Sequence, residues 1–242
     1  MSWRYGSYVG ALLLLQALAG CSDENKVADQ TSGQQSATSP APAADSIAGK
    51  KLILAFGDSL YAGYGVSQQE SFPSELQKSL RGKGLAVVVR NAGVSGDTSA
   101  AGLRRLAFAL DGLPRKPDLV MVNLGGNDML RGVDPKETKA NLTAICEELK
   151  RRGIPILLTG MVAAPNLGRD YAERFNPIYP ALAKQFDAAL YPFFLDGVVT
   201  RPKLMQADHI HPNPAGVDLI VGKVAPLVAS KLGPQGARAN AG

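Results

Sequence analysis

The chain has 242 residues, of which 45% are hydrophobic, 19% charged and 6% aromatic, which excludes a collagenous or wholly disordered protein and suits one α/β domain with extensions, or at most two small domains. Its two cysteines exclude a disulfide-rich scaffold and a zinc site built from several thiolates, and its two histidines argue against a multi-histidine metal centre. A net charge of +5, with no basic run beyond Lys150-Arg151-Arg152, points away from a nucleic-acid partner.

The chain opens with Arg4 and an apolar run from Val9 to Leu18 interrupted at Gln16. The run is too short for a conventional membrane span and reads as a secretory signal over residues 1–20. Leu18-Ala19-Gly20-Cys21 resembles a bacterial lipobox, in which the cysteine is lipidated and becomes the new N-terminus. Ordinary cleavage after Ala17-Leu18-Ala19, leaving Cys21 as a free thiol, is the alternative. From Ser22 to Lys50 the only large aliphatics are Val27 and Ile47, too few to offset the entropy of ordering. A lipidated Cys21 and a disordered tether are therefore expected over 21–50, a folded domain over 51–233, and a disordered tail over 234–242. The expected location is the periplasmic side of a Gram-negative envelope. Ser22 after Cys21, rather than an aspartate, favours the outer membrane over the inner.

Leu52–Phe56 reads as a buried strand ending at Gly57, residues 71–82 as a helix, and Ala86–Arg90 as a second strand. A helix follows Asp97 through Leu103, Leu106 and Leu110, with Asp97 as its cap, and Leu119–Leu124 is a third strand. Asp134 is a strong N-cap with Pro135 at N1 and Glu137 placed for a capping box. Leu142, Ile145, Cys146 and Leu149 share one face of that helix, so Cys146 is expected as a buried hydrophobe. Ile154–Thr159 is a fourth strand, 171–188 a helix, and Ala189–Phe194 a fifth strand. Asn213 caps the last helix with Pro214 at N1, and Pro226 is expected to kink or end it.

Apolar strands separated by helices mean a parallel sheet covered on both faces. Ligands bind such sheets outside the strands' carboxyl ends, so the loops there are where chemistry is sought. Gly57-Asp58-Ser59-Leu60 presents a serine at the first of these loops, as a nucleophile or as a helix cap. In the second, Gly93 either lets its backbone N–H approach a substrate oxygen or serves only as a turn residue. In Gly125-Gly126-Asn127-Asp128, Asn127 can aim its amide at a developing oxyanion or close an Asx turn, while Asp128 satisfies loop amides. The last loop, Asp208-His209-Ile210-His211-Pro212, holds both histidines. An aspartate three residues before a histidine can turn back onto Nδ1, orient the ring and stabilise an imidazolium. His209 should point away from His211 if the local chain is extended.

Together these blocks resemble the SGNH hydrolase, or GDSL esterase/lipase, superfamily, and all of its blocks occur in order across Lys51–Leu232. Ser95-Gly96-Asp97-Thr98, the stretch Leu124–Gly132 and Ile178-Tyr179-Pro180 are similar to its bacterial acyl-CoA thioesterase I/lysophospholipase L1/arylesterase branch. The resemblance implies a three-layer α/β/α flavodoxin-like fold with five parallel strands. It implies that Ser59 attacks an ester or thioester carbonyl, His211 acts as general base and acid, and Asp208 orients His211. Ser59, Gly93 and Asn127 would form the oxyanion hole. The segment Met161–Gly168, with Pro165, Asn166 and Gly168, resembles the family's mobile loop over the acyl pocket. Relatives usually carry a small residue where His209 stands. No G-x-S-x-G elbow surrounds Ser59.

The function expected is thus hydrolysis of carboxylic esters or thioesters of acyl substrates. The alternatives are a carbohydrate or small-molecule acetylesterase, and a lipoprotein that binds lipid or glycan without turnover. The substrate is expected to be a small acyl ester or thioester, with no cofactor, no metal, no nucleic acid, a membrane contact through the lipid anchor, and a monomeric state. Activity should fall at low pH as His211 is protonated.

Overall fold

The computed structural model describes residues 47–233. The signal segment, Cys21, the tether up to residue 46 and the tail over 234–242 lie outside the described residues.

Five strands form one parallel sheet: β1 (Lys51–Gly57), β2 (Val87–Gly93), β3 (Leu119–Asn123), β4 (Ile156–Thr159) and β5 (Ala189–Tyr191), in the order β2-β1-β3-β4-β5. Every residue of β3 and β4 is buried, as near-continuous apolar runs require when both sheet faces are covered. In the register, Gly57 stands beside Gly93 on one side and Asn123 on the other. The carboxyl ends of β1, β2 and β3 are therefore level, and the loops that leave them share one edge.

The helices are α1 (Ser59–Ala62), α2 (Phe72–Gly82), α3 (Ser99–Asp111), α4 (Gly126–Leu130), α5 (Pro135–Arg151), α6 (Arg169–Phe175), α7 (Ile178–Phe186) and α8 (Pro214–Leu232). They fall into two packed groups, α2 with α8 and α3 with α5 and α7, which cover the sheet to make three layers. The fold expected from the resemblance is the fold observed.

Local sequence explains most boundaries. Asp134 accepts the Lys136 N–H at 2.9 Å with Pro135 at the first helical position, and Asn213 accepts the Gly216 N–H at 3.1 Å ahead of Pro214. Lys150 and Arg151 occupy the last turn of α5, where cations complement the helix dipole.

Other expectations are corrected. Thr98, not Asp97, caps α3, accepting the Ala101 N–H at 3.2 Å. The capping box expected at Asp134 and Glu137 occurs instead at Ser67 and Glu70. The helix expected over 171–188 is split at Asn176–Pro177, because proline brings no N–H to the ladder and Asn176 Oδ1 instead accepts the Ala163 amide at 2.8 Å. β5 stops at Tyr191, before Pro192. Pro226 does not end α8, which runs on to Leu232. The proline lies on the exposed side of the helix, near Gly222, whose carbonyl would have taken the missing N–H. Val224, Ala225 and Val228 on the other side stay buried and hold the helix in place.

Candidate active site

Ser59 is the first residue of α1, one step past the end of the central strand. Asp58 supports this turn: it is 2% exposed, and its Oδ1 accepts the Leu60 N–H at 3.0 Å. Of the two readings of this loop, the cap falls to Asp58 rather than to Ser59.

His211 reaches Ser59 from the far end of the chain. Its Nε2 is 2.8 Å from Ser59 Oγ and its Nδ1 is 2.6 Å from Asp208 Oδ2. Asp208 folds back on its own loop, with Oδ1 accepting the Ile210 and His211 amides at 3.0 and 3.1 Å. Burial alone would raise the Asp208 carboxyl, but the His211 hydrogen bond and those two amides outweigh it and hold it at about 2. The loop is itself anchored: Asn213 donates Nδ2 to the carbonyls of Lys203 and Met205, and Met205 bridges to Pro212.

His209 departs from expectation. Its φ is +57°, so the chain there is left-handed rather than extended, and the exposed side chain lies at the rim of the same cavity as His211. It takes no part in the chain of hydrogen bonds from Ser59 to Asp208.

That cavity, about 560 Å³, opens at the carboxyl edge of the sheet over Ser59 and His211. Its walls are mostly apolar, from Leu60, Met129, Met161, Phe193, Leu195 and Ile210. Of Pro165, Asn166 and Gly168, only Pro165 lines it. Asn166 and Gly168 are exposed, since Pro165–Leu167 forms a short 3-10 turn that carries them outward. The wall is built instead by the residues just before, from Met161 to Ala164.

The donors facing Ser59 are also partly corrected. Gly93 does not line the cavity, and its N–H is donated to Asn91 Oδ1 at 2.9 Å. It must be glycine for another reason: a Cβ would lie 2.2 Å from the backbone nitrogen of Ala62 in α1. On this loop the glycine that lines the cavity is Gly96, with φ +85°. Among the described residues, the amides of Ser59 and Gly96 have no acceptor, and both residues line the cavity. The Gly96 carbonyl accepts from Arg131 Nη2 at 2.8 Å, which fixes that peptide. Gly96 lay inside a motif already singled out, but nothing in the sequence says which of two nearby glycines the strand end consumes.

Asn127 sits in the first turn of α4. Its Nδ2 donates to the Asp97 carbonyl at 3.0 Å and to Asp58 Oδ2 at 3.3 Å. Asp97 is braced by Arg105, which also donates to the Gly57 carbonyl and lies 4.2 Å over the Phe56 ring. Asp128 is buried and structural, as expected, accepting from the Ser99 amide and hydroxyl and from Thr138 Oγ1. Cys146 is fully buried, and burial pushes its thiol up to about 12.

A parallel α/β sheet that delivers a serine, a hydrogen-bonded histidine–aspartate pair and free amides to one apolar cavity defines the class of α/β hydrolytic enzymes. Residues 55–219 match the GDSL-like Lipase/Acylhydrolase family, and the chain belongs to that family. It is 41% identical over 185 residues to "Esterase TesA" of Pseudomonas aeruginosa, a match spanning 76% of this chain and 91% of the relative. It is 42% identical over 180 residues to "Thioesterase 1/protease 1/lysophospholipase L1" of Escherichia coli K12, spanning 73% and 84%. Among solved structures it is similar to AlinE4, an SGNH-hydrolase family esterase, with a TM-score of 0.65, 54% identity, and coverage of 75% of this chain and 96% of that one.

Proposed function

We propose that this enzyme hydrolyses carboxylic esters and thioesters of acyl chains through an acyl-enzyme on Ser59. The observation that carries the reading is the continuous hydrogen-bonded path Ser59 Oγ–His211–Asp208 at the floor of an apolar cavity.

Ser59 Oγ attacks the acyl carbonyl while His211 Nε2 takes its proton. Asp208, an anion over the whole working range, accepts the Nδ1–H and stabilises the imidazolium. The negative charge that develops on the carbonyl oxygen meets the Ser59 and Gly96 amides, with Asn127 Nδ2 as third donor. Asn127 turns one N–H from Asp58 Oδ2, the longer of its two bonds, toward the oxyanion. His211 then protonates the leaving alcohol or thiol, and the carbonyl re-forms as an ester on Ser59. Water attacks that ester with His211 again as base, releasing the acid and free Ser59.

A cavity of about 560 Å³ lies in the roughly 300–1,000 Å³ range typical of ligand pockets. Its apolar walls favour acyl chains longer than acetyl, which sets the acetylesterase alternative second. Similarity to relatives named esterase and thioesterase supports both leaving groups. The lipobox reading adds a cellular setting: a lipid on Cys21 holds the domain at the periplasmic face of an envelope membrane, preferentially the outer one.

The test is hydrolysis of p-nitrophenyl esters from acetate to palmitate, alongside palmitoyl-CoA, by residues 45–242 and by Ser59→Ala. We expect activity that peaks beyond acetate and a loss of at least about 10³-fold in the variant. Survival of most activity in Ser59→Ala would remove the mechanism.

A further inference from the structure

Tyr64 follows α1, is 53% exposed, and yet is held in place by several bonds. Its ring lies against the His211 imidazole, with centroids 4.5 Å apart and planes at 35°. Its N–H donates to the Ser59 carbonyl at 3.2 Å, and its own carbonyl accepts from Gln206 Nε2 at 2.7 Å. The same Gln206 amide donates to the Pro212 carbonyl at 3.0 Å, and the Gln206 backbone N–H donates to the His211 carbonyl at 2.8 Å. One residue thus ties together the backbones that carry the two rings in contact. Gly65, with φ +72°, makes room for it: a Cβ there would lie 2.0 Å from Gln206 Oε1.

We propose that Tyr64, clamped by Gln206, is a positioning residue for His211: its π face fixes the imidazole over Ser59 and stabilises the imidazolium formed when Ser59 gives up its proton. An aromatic face attracts a cation placed against it, and attracts the neutral ring much less. The contact therefore strengthens as the reaction proceeds, which is the condition for raising kcat rather than only lowering KM. His211 is bonded to Asp208 on its own loop and to Ser59 on α1, and the other titratable groups lining the same cavity are, Tyr64 aside, Asp58 and His209. Among the described residues, Tyr64 alone places an aromatic ring on the imidazole. The inference rests on the serine-hydrolase reading above.

The experiment measures kcat and KM from pH 5 to 9 with a short p-nitrophenyl ester for wild type, Tyr64→Phe, Tyr64→Leu, Gln206→Leu and Ser59→Ala, with folding checked by circular dichroism. Tyr64→Leu is expected to lower kcat about three- to thirtyfold, the span of a partly desolvated cation–π contact, with KM nearly constant. The acid limb of its profile should move to lower pH, since the imidazolium loses its partner. Tyr64→Phe keeps the ring and should restore both the acid limb and most of kcat. Gln206→Leu should move in the same direction as Tyr64→Leu, and it decides the question if Tyr64→Leu does not fold. A wild-type kcat and acid limb in Tyr64→Leu, a change confined to KM, or an equal loss in Tyr64→Phe would each overturn the proposal. Activity retained in Ser59→Ala would instead overturn the hydrolase reading, so the two failures are distinct.

Discussion

Asp58 stands immediately before Ser59 and carries strain of an electrostatic kind. Burial pushes its carboxyl up to about 7, helped by the charges of Asp97 and Asp128 and opposed by the Leu60 amide and the Asn127 side chain. In an unfolded chain the same group titrates near the ordinary aspartate value of about 3.9. Between these values the folded protein holds a proton that the unfolded chain has released, so rising pH favours unfolding across that window, and the loss is complete above about 7. Asp58→Asn keeps an acceptor for the Leu60 amide and removes the titration. Its Tm relative to wild type should therefore climb from pH 4 to about pH 7.5 and then level off. A constant difference in thermal melts across that range would show that Asp58 titrates normally. The grouping of Ser59, Asp208 and His211 was legible at this scale because each lies in a short motif with its own chemical logic. The choice between Gly93 and Gly96 was not, because it depends on where α1 passes over the end of β2.

At the scale of elements, the strands and the capped helices followed from periodicity and local punctuation, since those signals act within a few residues. The failures have tertiary causes. Asn176 gives its side chain to the Ala163 amide across the fold, so one amphipathic stretch becomes α6 and α7. α8 continues through Pro226 because its buried side is locked into the core. The crossing of α1 over β2 makes a prediction of its own. Gly93→Ala would set a Cβ against backbone atoms of Tyr61 and Ala62, which no rotamer change relieves. It should destabilise the protein by about 1–3 kcal/mol, as overpacking does, and lower activity by moving Ser59. Denaturant titration measures the first, and a wild-type midpoint would show that α1 yields freely.

For the molecule as a whole, the lipobox reading predicts where the enzyme is found. The full chain expressed in a Gram-negative host should partition with membranes and label with palmitate, whereas Cys21→Ala should be released as a soluble, unlabelled protein with unchanged specific activity. Membrane retention of unlabelled Cys21→Ala that has nevertheless lost residues 1–20 would assign the attachment to the folded domain instead. The pH dependence of the whole reaction has a stated sign. Asp208 stays ionised down to about 2 and so does not limit the reaction in the acid range, and with a histidine as base activity rises from acid toward neutral pH.

The amino-acid sequence by itself determined the alternation of buried strands and capped helices, the order of the chemical motifs and the family they resemble, because these depend on side-chain periodicity and on residues close together in the chain. Only the tertiary structure decided which amides face the cavity, that Tyr64 and Gln206 brace His211, and that Asp58 shares Asn127 with Asp97. Those facts arise where loops from distant parts of the chain meet at one sheet edge, and a pairing between groups so far apart in sequence leaves no local pattern to read.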